Sequence, residues 1–168
     1  MRSAGFTLLE VMAVLVIVGL FAAAVTLTPS GWFAAARFDE VTAQVTFMDQ
    51  LARQRARRGD QAVELVFDLP QARIERRDVD GGFSDDGRHH MTLPRGYEVT
   101  EMIVSRQPRR SQRVTVPVNT TGCTPSYALR IVGPNHEAKW LVIAGLSGQA
   151  ITLDGEQEID DAFDKLAT

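Results

Sequence analysis

The sequence predicts an α+β fold in which a long N-terminal helix, half membrane-spanning and half amphipathic, packs on an antiparallel all-β domain. Residues 6–59 hold an apolar run and then hydrophobic positions at three- and four-residue steps, which are typical of helices. Beyond residue 59, short segments of strand character follow one another between Gly- and Pro-bearing turns, without helical patterns between them. Consecutive strands of this kind indicate antiparallel pairing, here in two packed sheets.

The composition limits the classes to which the protein can belong. The chain has 168 residues and a formal net charge of −3, so any nucleic-acid contact must rest on a local basic patch. Its single cysteine, Cys123, excludes an intrachain disulfide. The sequence lacks a glycine-rich phosphate loop, a zinc-protease helix motif and a paired-carboxylate motif. We therefore expect no cofactor and no enzymatic activity.

The apolar run near the N-terminus is long enough to cross a membrane. Between Phe6 and Leu27 the only charged residue is Glu10. A helix of about 22 residues rises about 33 Å, and the hydrocarbon core of a bilayer is about 30 Å thick. Arg2 ahead of the run favours a cytoplasmic amino end and a single pass. An ionised carboxylate inside the bilayer costs about 2.5–3.5 kcal/mol, so Glu10 needs a physical purpose.

Three interpretations of this segment compete. One is a secretory signal peptide cleaved after Ala24, and another is a plain single-pass anchor. The third starts from the hexapeptide GFTLLE at residues 5–10, which resembles the prepilin peptidase motif of type IV pilins and type II secretion pseudopilins. This resemblance implies peptidase cleavage between Gly5 and Phe6 and N-methylation of Phe6. It also implies a role in subunit assembly for Glu10, which would pair with the new α-amino group.

A second helical pattern follows the Pro-Ser-Gly turn signal at residues 29–31, where Pro29 can bend the long helix. Its apolar positions share one face, which we expect to pack on the following sheet. Arginines crowd the last turns and Gly59 ends the helix. The apolar face comprises Ala34, Phe38, Val41, Val45, Met48, Leu51 and Ala52, and the polar side comprises Arg37, Asp39, Glu40, Gln44, Asp49, Gln50 and Arg53.

The rest of the chain predicts the β-domain and a short terminal helix at Ile159–Leu166. Pro117 indicates a short or edge strand, and residues 78–90 read as a loop. We expect a leader at 1–5, a transmembrane helix segment at 6–28, an amphipathic helix at 29–59 and the β-domain at 60–168. The strand candidates are residues 63–68, 72–77, 97–105, 113–118, 127–132, 139–144 and 150–153.

A long N-terminal helix followed by an all-β domain resembles the minor pseudopilin H group of type II secretion and the related FimT minor pilins. The stretch LSGQAI at residues 146–151 resembles the glycine-anchored late strand of that group. The resemblance implies a pseudopilus subunit near the filament tip that supports protein export across the outer membrane. It also implies a single-pass protein of the bacterial inner membrane with its β-domain in the periplasm.

The partners implied by this resemblance are other pseudopilins, the prepilin peptidase, and the inner-membrane assembly platform with its ATPase. Two alternatives stay open at the level of sequence. One is a FimT-like type IV minor pilin that serves pilus assembly or DNA uptake. The other is a secreted binding module with an ordinary signal peptide.

Three further groups of residues are candidate sites. The acidic, glycine-rich segment 78–87 has the composition of a calcium loop but lacks EF-hand spacing, so turn chemistry explains it better. Three histidines and the cysteine lack zinc-site spacing, and Ser147 lies in a turn that lacks the last glycine of a nucleophile elbow. The calcium candidates are Asp78, Asp80, Asp85 and Asp86, and the zinc candidates are His89, His90, His136 and Cys123.

Four arginines lie within residues 106–113, which we expect to form a hairpin loop. Such a cluster is a candidate contact for nucleic-acid phosphates or for an acidic partner. An ordinary solvated loop, or a contact with the acidic tail at 154–164, is the interpretation that we favour, because charge runs alone carry little information. The four residues are Arg106, Arg109, Arg110 and Arg113.

Overall fold

The computed structural model describes residues 8–26, 30–79, 90–109 and 111–166. These residues form the helices α1 (Leu8–Thr26), α2 (Ser30–Gly59) and α3 (Ile159–Leu166), with a 3₁₀ turn at Glu156–Glu158. The strands are β1 (Val63–Asp68), β2 (Arg73–Asp78), β3 (His90–Thr92), β4 (Glu98–Val104), β5 (Gln107–Arg109), β6 (Arg113–Val118), β7 (Tyr127–Val132), β8 (Ala138–Ile143) and β9 (Ala150–Leu153).

The chain forms two compact units, residues 1–37 and 38–168, which divide within α2. The first unit contains α1, a helix of 19 residues whose one charged residue is Glu10. Pro29, where the sequence predicts a bend, lies outside the described residues. As predicted, α2 ends at Gly59, and Arg57 and Arg58 in its last turn offset the partial negative charge of the helix C-terminus.

The second unit contains two antiparallel sheets, as the sequence predicts. One sheet has the strand order β3-β2-β1-β6 and the other has the order β5-β4-β7-β8-β9. Pro117 lies in β6 at the edge of the four-stranded sheet, where its missing N–H removes no ladder hydrogen bond. The structure therefore confirms the edge position predicted for this strand.

Two short strands differ from the prediction: β5 lies in the segment 106–113 that was predicted as loop, and β3 begins at His90, the last residue of the loop predicted at 78–90. The strand β5 forms because Ser105 and Arg106 both adopt positive φ, 50° and 62°, in a two-residue turn that folds the chain back on β4. The strand β3 forms because its three residues pair with β2. Neither segment shows the alternation that marks a strand in sequence, so tertiary pairing decides both.

The main core lies between α2 and the inner faces of the two sheets. The rings of Phe67 in β1 and Tyr127 in β7 meet edge to face with centroids 5.7 Å apart, which joins the two sheets. Phe38 at the start of the second unit packs in the same way on Tyr97, at 5.8 Å. The predicted apolar face of α2 is buried at Phe38, Val41, Val45, Met48 and Ala52, while the side chain of Ala34 lies outside the described residues.

A second apolar cluster covers the other face of the five-stranded sheet. The helix α3 places Ile159, Ala162 and Phe163 against side chains of β7 and β8, among them Trp140 and Val142. The central strands of this sheet are thus buried on both faces, which explains why β8 reads as a continuous apolar run rather than an alternating one.

We predict that Phe163→Ala lowers the free energy of unfolding by about 3 kcal/mol, because it empties the centre of this second cluster. Phe163 is 4% exposed, whereas Leu146 is 67% exposed, so Leu146→Ala should change the same quantity by less than about 0.5 kcal/mol. Urea unfolding of the full chain in detergent measures both values. Equal effects of the two substitutions would contradict the packing of α3 on this sheet.

Candidate functional site

Glu10 lies in the first turn of α1, where its carboxylate is exposed and near the positive end of the helix dipole. The predicted cleavage and methylation residues, Gly5 and Phe6, lie outside the described residues. The roles assigned to Gly5, Phe6 and Glu10 therefore stay predictions. What the structure adds is the helical setting of the acid, which lies within α1.

The first unit exposes apolar side chains of α1 from Leu8 to Phe21. An exposed apolar surface of this extent marks a site of contact with lipid or with other apolar helices. Within the ranges that the structure describes, no helix meets the length and apolarity needed to cross a membrane. The exposed large residues are Leu8, Leu9, Val11, Met12, Val14, Leu15, Val16, Ile17, Val18, Leu20 and Phe21.

The second unit is organised around a buried ionic cluster on α2. Asp49 and Arg53, which the sequence pattern places on the polar side of the helix, are 1% and 4% exposed, so that prediction was wrong. Arg53 Nε donates to Asp49 Oδ2 at 2.5 Å, and the hydroxyl of Tyr127 donates to Asp49 Oδ1 at 2.9 Å. The cluster therefore bonds α2 to β7 in the interior of the unit.

The guanidinium of Arg53 also binds two loops that close over the helix. Its Nη1 donates to the carbonyls of Gly122 and Gly145 at 3.2 and 2.6 Å. Its Nη2 donates to the carbonyl of Ala144 at 3.0 Å and to Thr124 Oγ1 at 2.7 Å. With the bond to Asp49, every nitrogen of the guanidinium has a partner, which offsets the cost of burying the charge.

Two glycines allow these loops to approach the helix and each other. A side chain at Gly122 would collide with Arg57, and the backbone there has a φ of +77°, which favours glycine. A Cβ at Gly145 would collide with the carbonyl of Thr124, so the two loops meet through backbone alone. Sequence inspection treats these glycines as ordinary turn residues. The sequence feature that indicates the ion pair is the spacing of Asp49 and Arg53, because a helix brings side chains four residues apart together.

The cluster perturbs the titration of Tyr127. Burial, reinforced by the neighbouring carboxylate of Asp49, raises the pKa of the Tyr127 hydroxyl well above its ordinary value of 10.0. The hydroxyl therefore stays protonated and continues to donate to Asp49 throughout the ordinary pH range.

The arginine segment is placed on the outside of the second unit. Arg106 pairs with Asp164 of α3, and Arg113 Nη2 lies 2.8 Å from Asp68 Oδ2. The hydrogen bond from Arg113 lowers the pKa of the Asp68 carboxyl, against the opposing effect of desolvation. Arg109 is exposed in β5, and Arg110 lies outside the described residues. The pair with Asp164 matches the predicted contact with the acidic tail.

The remaining candidate ligands do not form a site in the described part of the chain. Asp78 ends β2 and its carboxylate lies 3.1 Å from Arg55 Nη2, while Asp80, Asp85, Asp86 and His89 lie outside the described residues. His90 and His136 are exposed, and no group of three or more His, Cys, Asp or Glu residues in the described ranges can hold a metal ion. Ser147 lies in the turn between β8 and β9, where it accepts a hydrogen bond from the Gln149 N–H.

We predict that Arg53→Ala lowers the free energy of unfolding by about 3–5 kcal/mol, because it leaves the buried Asp49 carboxylate without its counter-ion. The matched control is Arg58→Ala on the same helix, an exposed arginine whose removal should cost less than about 1 kcal/mol. Urea unfolding of the full chain measures the two values. A loss as small as that of the control would show that the cluster does not hold the loops.

The perturbed tyrosine predicts a loss of stability at alkaline pH. Above pH 10, Tyr127 ionises in the unfolded chain but not in the folded one, so the free energy of unfolding should fall as the pH rises. The slope that this residue contributes is about 1.4 kcal/mol per pH unit. In Tyr127→Phe, unfolding measured from pH 9 to 11 should lack that slope. Parallel pH profiles for the two proteins would contradict the raised pKa.

Comparison with known proteins agrees with both parts of the chain. The family model of the prokaryotic N-terminal methylation motif matches residues 1–26. No curated protein matches the sequence. A solved structure of the minor pseudopilin EpsH from the type 2 secretion system of Vibrio cholerae has a TM-score of 0.52 and 14% identity, over 71% of this chain and 98% of its own. A second EpsH structure from Vibrio cholerae has a TM-score of 0.50 and 16% identity, over 70% and 96%.

At such low identity the structural likeness establishes the fold, and the motif establishes the class of the N-terminal segment. Both agree with the resemblance predicted from residues 5–10 and from the order of helix and strands. The chain therefore carries the prokaryotic N-terminal methylation motif at residues 1–26 and has the fold of the minor pseudopilin EpsH.

Proposed function

We propose that this protein is a minor pseudopilin, a structural subunit without enzymatic activity. It assembles near the tip of a type II secretion pseudopilus and supports protein export across the outer membrane. The proposal rests on two features that occur together in this chain. A methylation motif with an acid at its apolar start precedes a globular unit with the fold of EpsH.

The chemistry of assembly begins with processing by the prepilin peptidase. Cleavage after Gly5 creates an α-amino group on Phe6, four residues before Glu10. In a low-dielectric environment such an amine and a carboxylate stabilise each other, whereas either charge alone is costly. Glu10 of one subunit thus selects a neighbour whose processed N-terminus lies at the same depth.

The apolar segment serves as anchor before assembly and as packing surface after it. The apolar run of the sequence extends beyond both ends of α1, so we assign the anchor to residues 6–28 as a whole. In this proposal the segment crosses the inner membrane once, the β-domain lies in the periplasm, and the exposed apolar residues of α1 contact lipid. Extraction by the assembly platform and its ATPase replaces lipid with the helices of other pseudopilins.

The arginine segment plays no part in this proposal. Arg106 and Arg113 bond carboxylates of their own chain, at Asp164 and Asp68, and are therefore already partly neutralised. Nucleic-acid binding needs such cations to face phosphates instead. The observed pairing favours the secretion filament over the DNA-uptake alternative.

We predict that the mature protein from cells with a prepilin peptidase begins at N-methylated Phe6. We also predict that Glu10→Gln is processed normally but enters filaments at least about tenfold less, because the buried amine loses its counter-charge. Intact mass and N-terminal sequencing measure the first outcome, and the subunit content of sheared filaments measures the second.

The matched control for this experiment is Glu158→Gln, which makes the same chemical change at an exposed carboxylate of the 3₁₀ turn, outside the methylation motif. This variant should be processed and incorporated as the unchanged protein is. A chain that begins after Ala24 would overturn the proposed function altogether. Normal incorporation of Glu10→Gln would leave the filament assignment standing but contradict the charge-pair mechanism.

A further inference from the structure

A groove runs between α2 and the edge strand β9 of the five-stranded sheet. Its volume is about 460 Å³, within the range of sites that bind small ligands or short peptide segments. Phe47 of α2 is 61% exposed and lines this groove. The groove is lined by Asp39, Thr42, Ala43, Thr46, Phe47, Gln50, Leu141, Ala150 and Thr152.

The backbone of β9 directs hydrogen-bonding groups away from the sheet on the groove side. The Ala144 N–H donates to the Gln149 carbonyl, so these two residues form a hydrogen-bonded pair between β8 and β9. Such pairs alternate along an antiparallel ladder, so Ile151 and Leu153 also bond to β8. The alternate residues, Ala150 and Thr152, direct their N–H and C=O groups outward. Within the described ranges β9 pairs with β8 alone, and the side chains of these same two residues line the groove.

The other sheet edges carry features that discourage pairing, whereas β9 does not. In β5, Gln107 and Arg109 exchange hydrogen bonds with β4, so Pro108 between them lies at the outward position. Proline has no N–H to donate to an added strand. In β6 the outward positions include Pro117, and β3 has only three residues. The sequence of β9, Ala-Ile-Thr-Leu, has no proline and no charge. An apolar edge of this kind is a template for an added strand.

The charge around the groove selects the partner. Asp39 lines one end, and Asp154 directly follows β9 with its side chain 91% exposed. Lys139 lies 4.0 Å from Asp154 and its ammonium also lies 5.5 Å from the Phe38 ring, which places these residues at the same end. Asp39 lines the groove and Asp154 is exposed beside β9, so these carboxylates favour a partner strand with a basic side chain there.

We propose that β9 and its groove accept an extended segment of a neighbouring pilin-like subunit by strand addition. The added strand bonds the outward groups of Ala150 and Thr152, lays an apolar side chain against Phe47, and places a lysine or arginine beside Asp39 and Asp154. This inference rests on the proposed function, since it takes the partner from the same filament.

The test uses the full-length chain in cells that carry the other filament subunits, with a photo-crosslinking benzoylphenylalanine in place of Phe47. We expect a crosslink to a pilin-like subunit, identified by mass spectrometry. Thr152→Pro removes an outward N–H without removing a bond to β8, so it should lower the crosslink yield about tenfold. The matched control is Thr115→Pro, because Thr115 has the same outward position in β6 and lies away from the groove.

A charge variant keeps the test decisive if Thr152→Pro fails to fold. Asp39→Lys reverses an exposed charge on α2 and should lower the crosslink yield several-fold, whereas Glu98→Lys, an exposed acid at the start of β4, should not. A yield unaffected by Asp39→Lys, or a crosslink to a protein of another class, would overturn the proposal. Filaments that contain the chain without any crosslink at position 47 would overturn it while leaving the proposed function intact. A chain absent from every filament would overturn both.

Discussion

The architecture of the globular unit depends on one buried guanidinium. Arg53 carries its charge into the interior, where burial is costly unless every donor finds a partner. The partners are Asp49 on the same helix and the backbone of two loops that follow separate strands. An apolar residue could fill the same space, but it would not fix the rotation of α2 about its axis. The ionic cluster therefore specifies one placement of the helix on the sheets, and the apolar core supplies the bulk of the stability.

The five-stranded sheet acts as the central layer of this unit. Its inner face meets α2, and α3 covers part of its outer face. In the proposed filament, the edges of this sheet are then its surfaces for contact with other subunits. This division suits a filament subunit, because the surfaces that hold the fold are separate from those that meet neighbours. Changes at a contact surface can alter the partner without altering the core.

Much of the fold could be predicted from the sequence, because alternation and turn residues report directly on burial. The strands β6, β7 and β9 and the helix α3 have the predicted bounds. The strands β3 and β5 could not be found, since partners distant in sequence create them. Asp49 and Arg53 were misassigned for a related reason. A helical pattern shows which residues share a side, but not that loops from residues 122–126 and 144–149 cover that side. The motif of residues 5–10 could be found because it is a continuous run of residues, and the family model matches residues 1–26.

Three of the four hydrogen bonds from Arg53 to its loops end on backbone carbonyl oxygens. Every residue has a carbonyl, so most substitutions in the loops leave the bonds with Arg53 unchanged. The constrained positions are Thr124, whose hydroxyl also binds Arg53, and those where a side chain would block the approach, such as Gly122 and Gly145. Leu146 and Ser147 between β8 and β9 are exposed and free to diversify. A lineage can thus remodel the surface of this unit extensively while the interior bond that positions its helix stays the same.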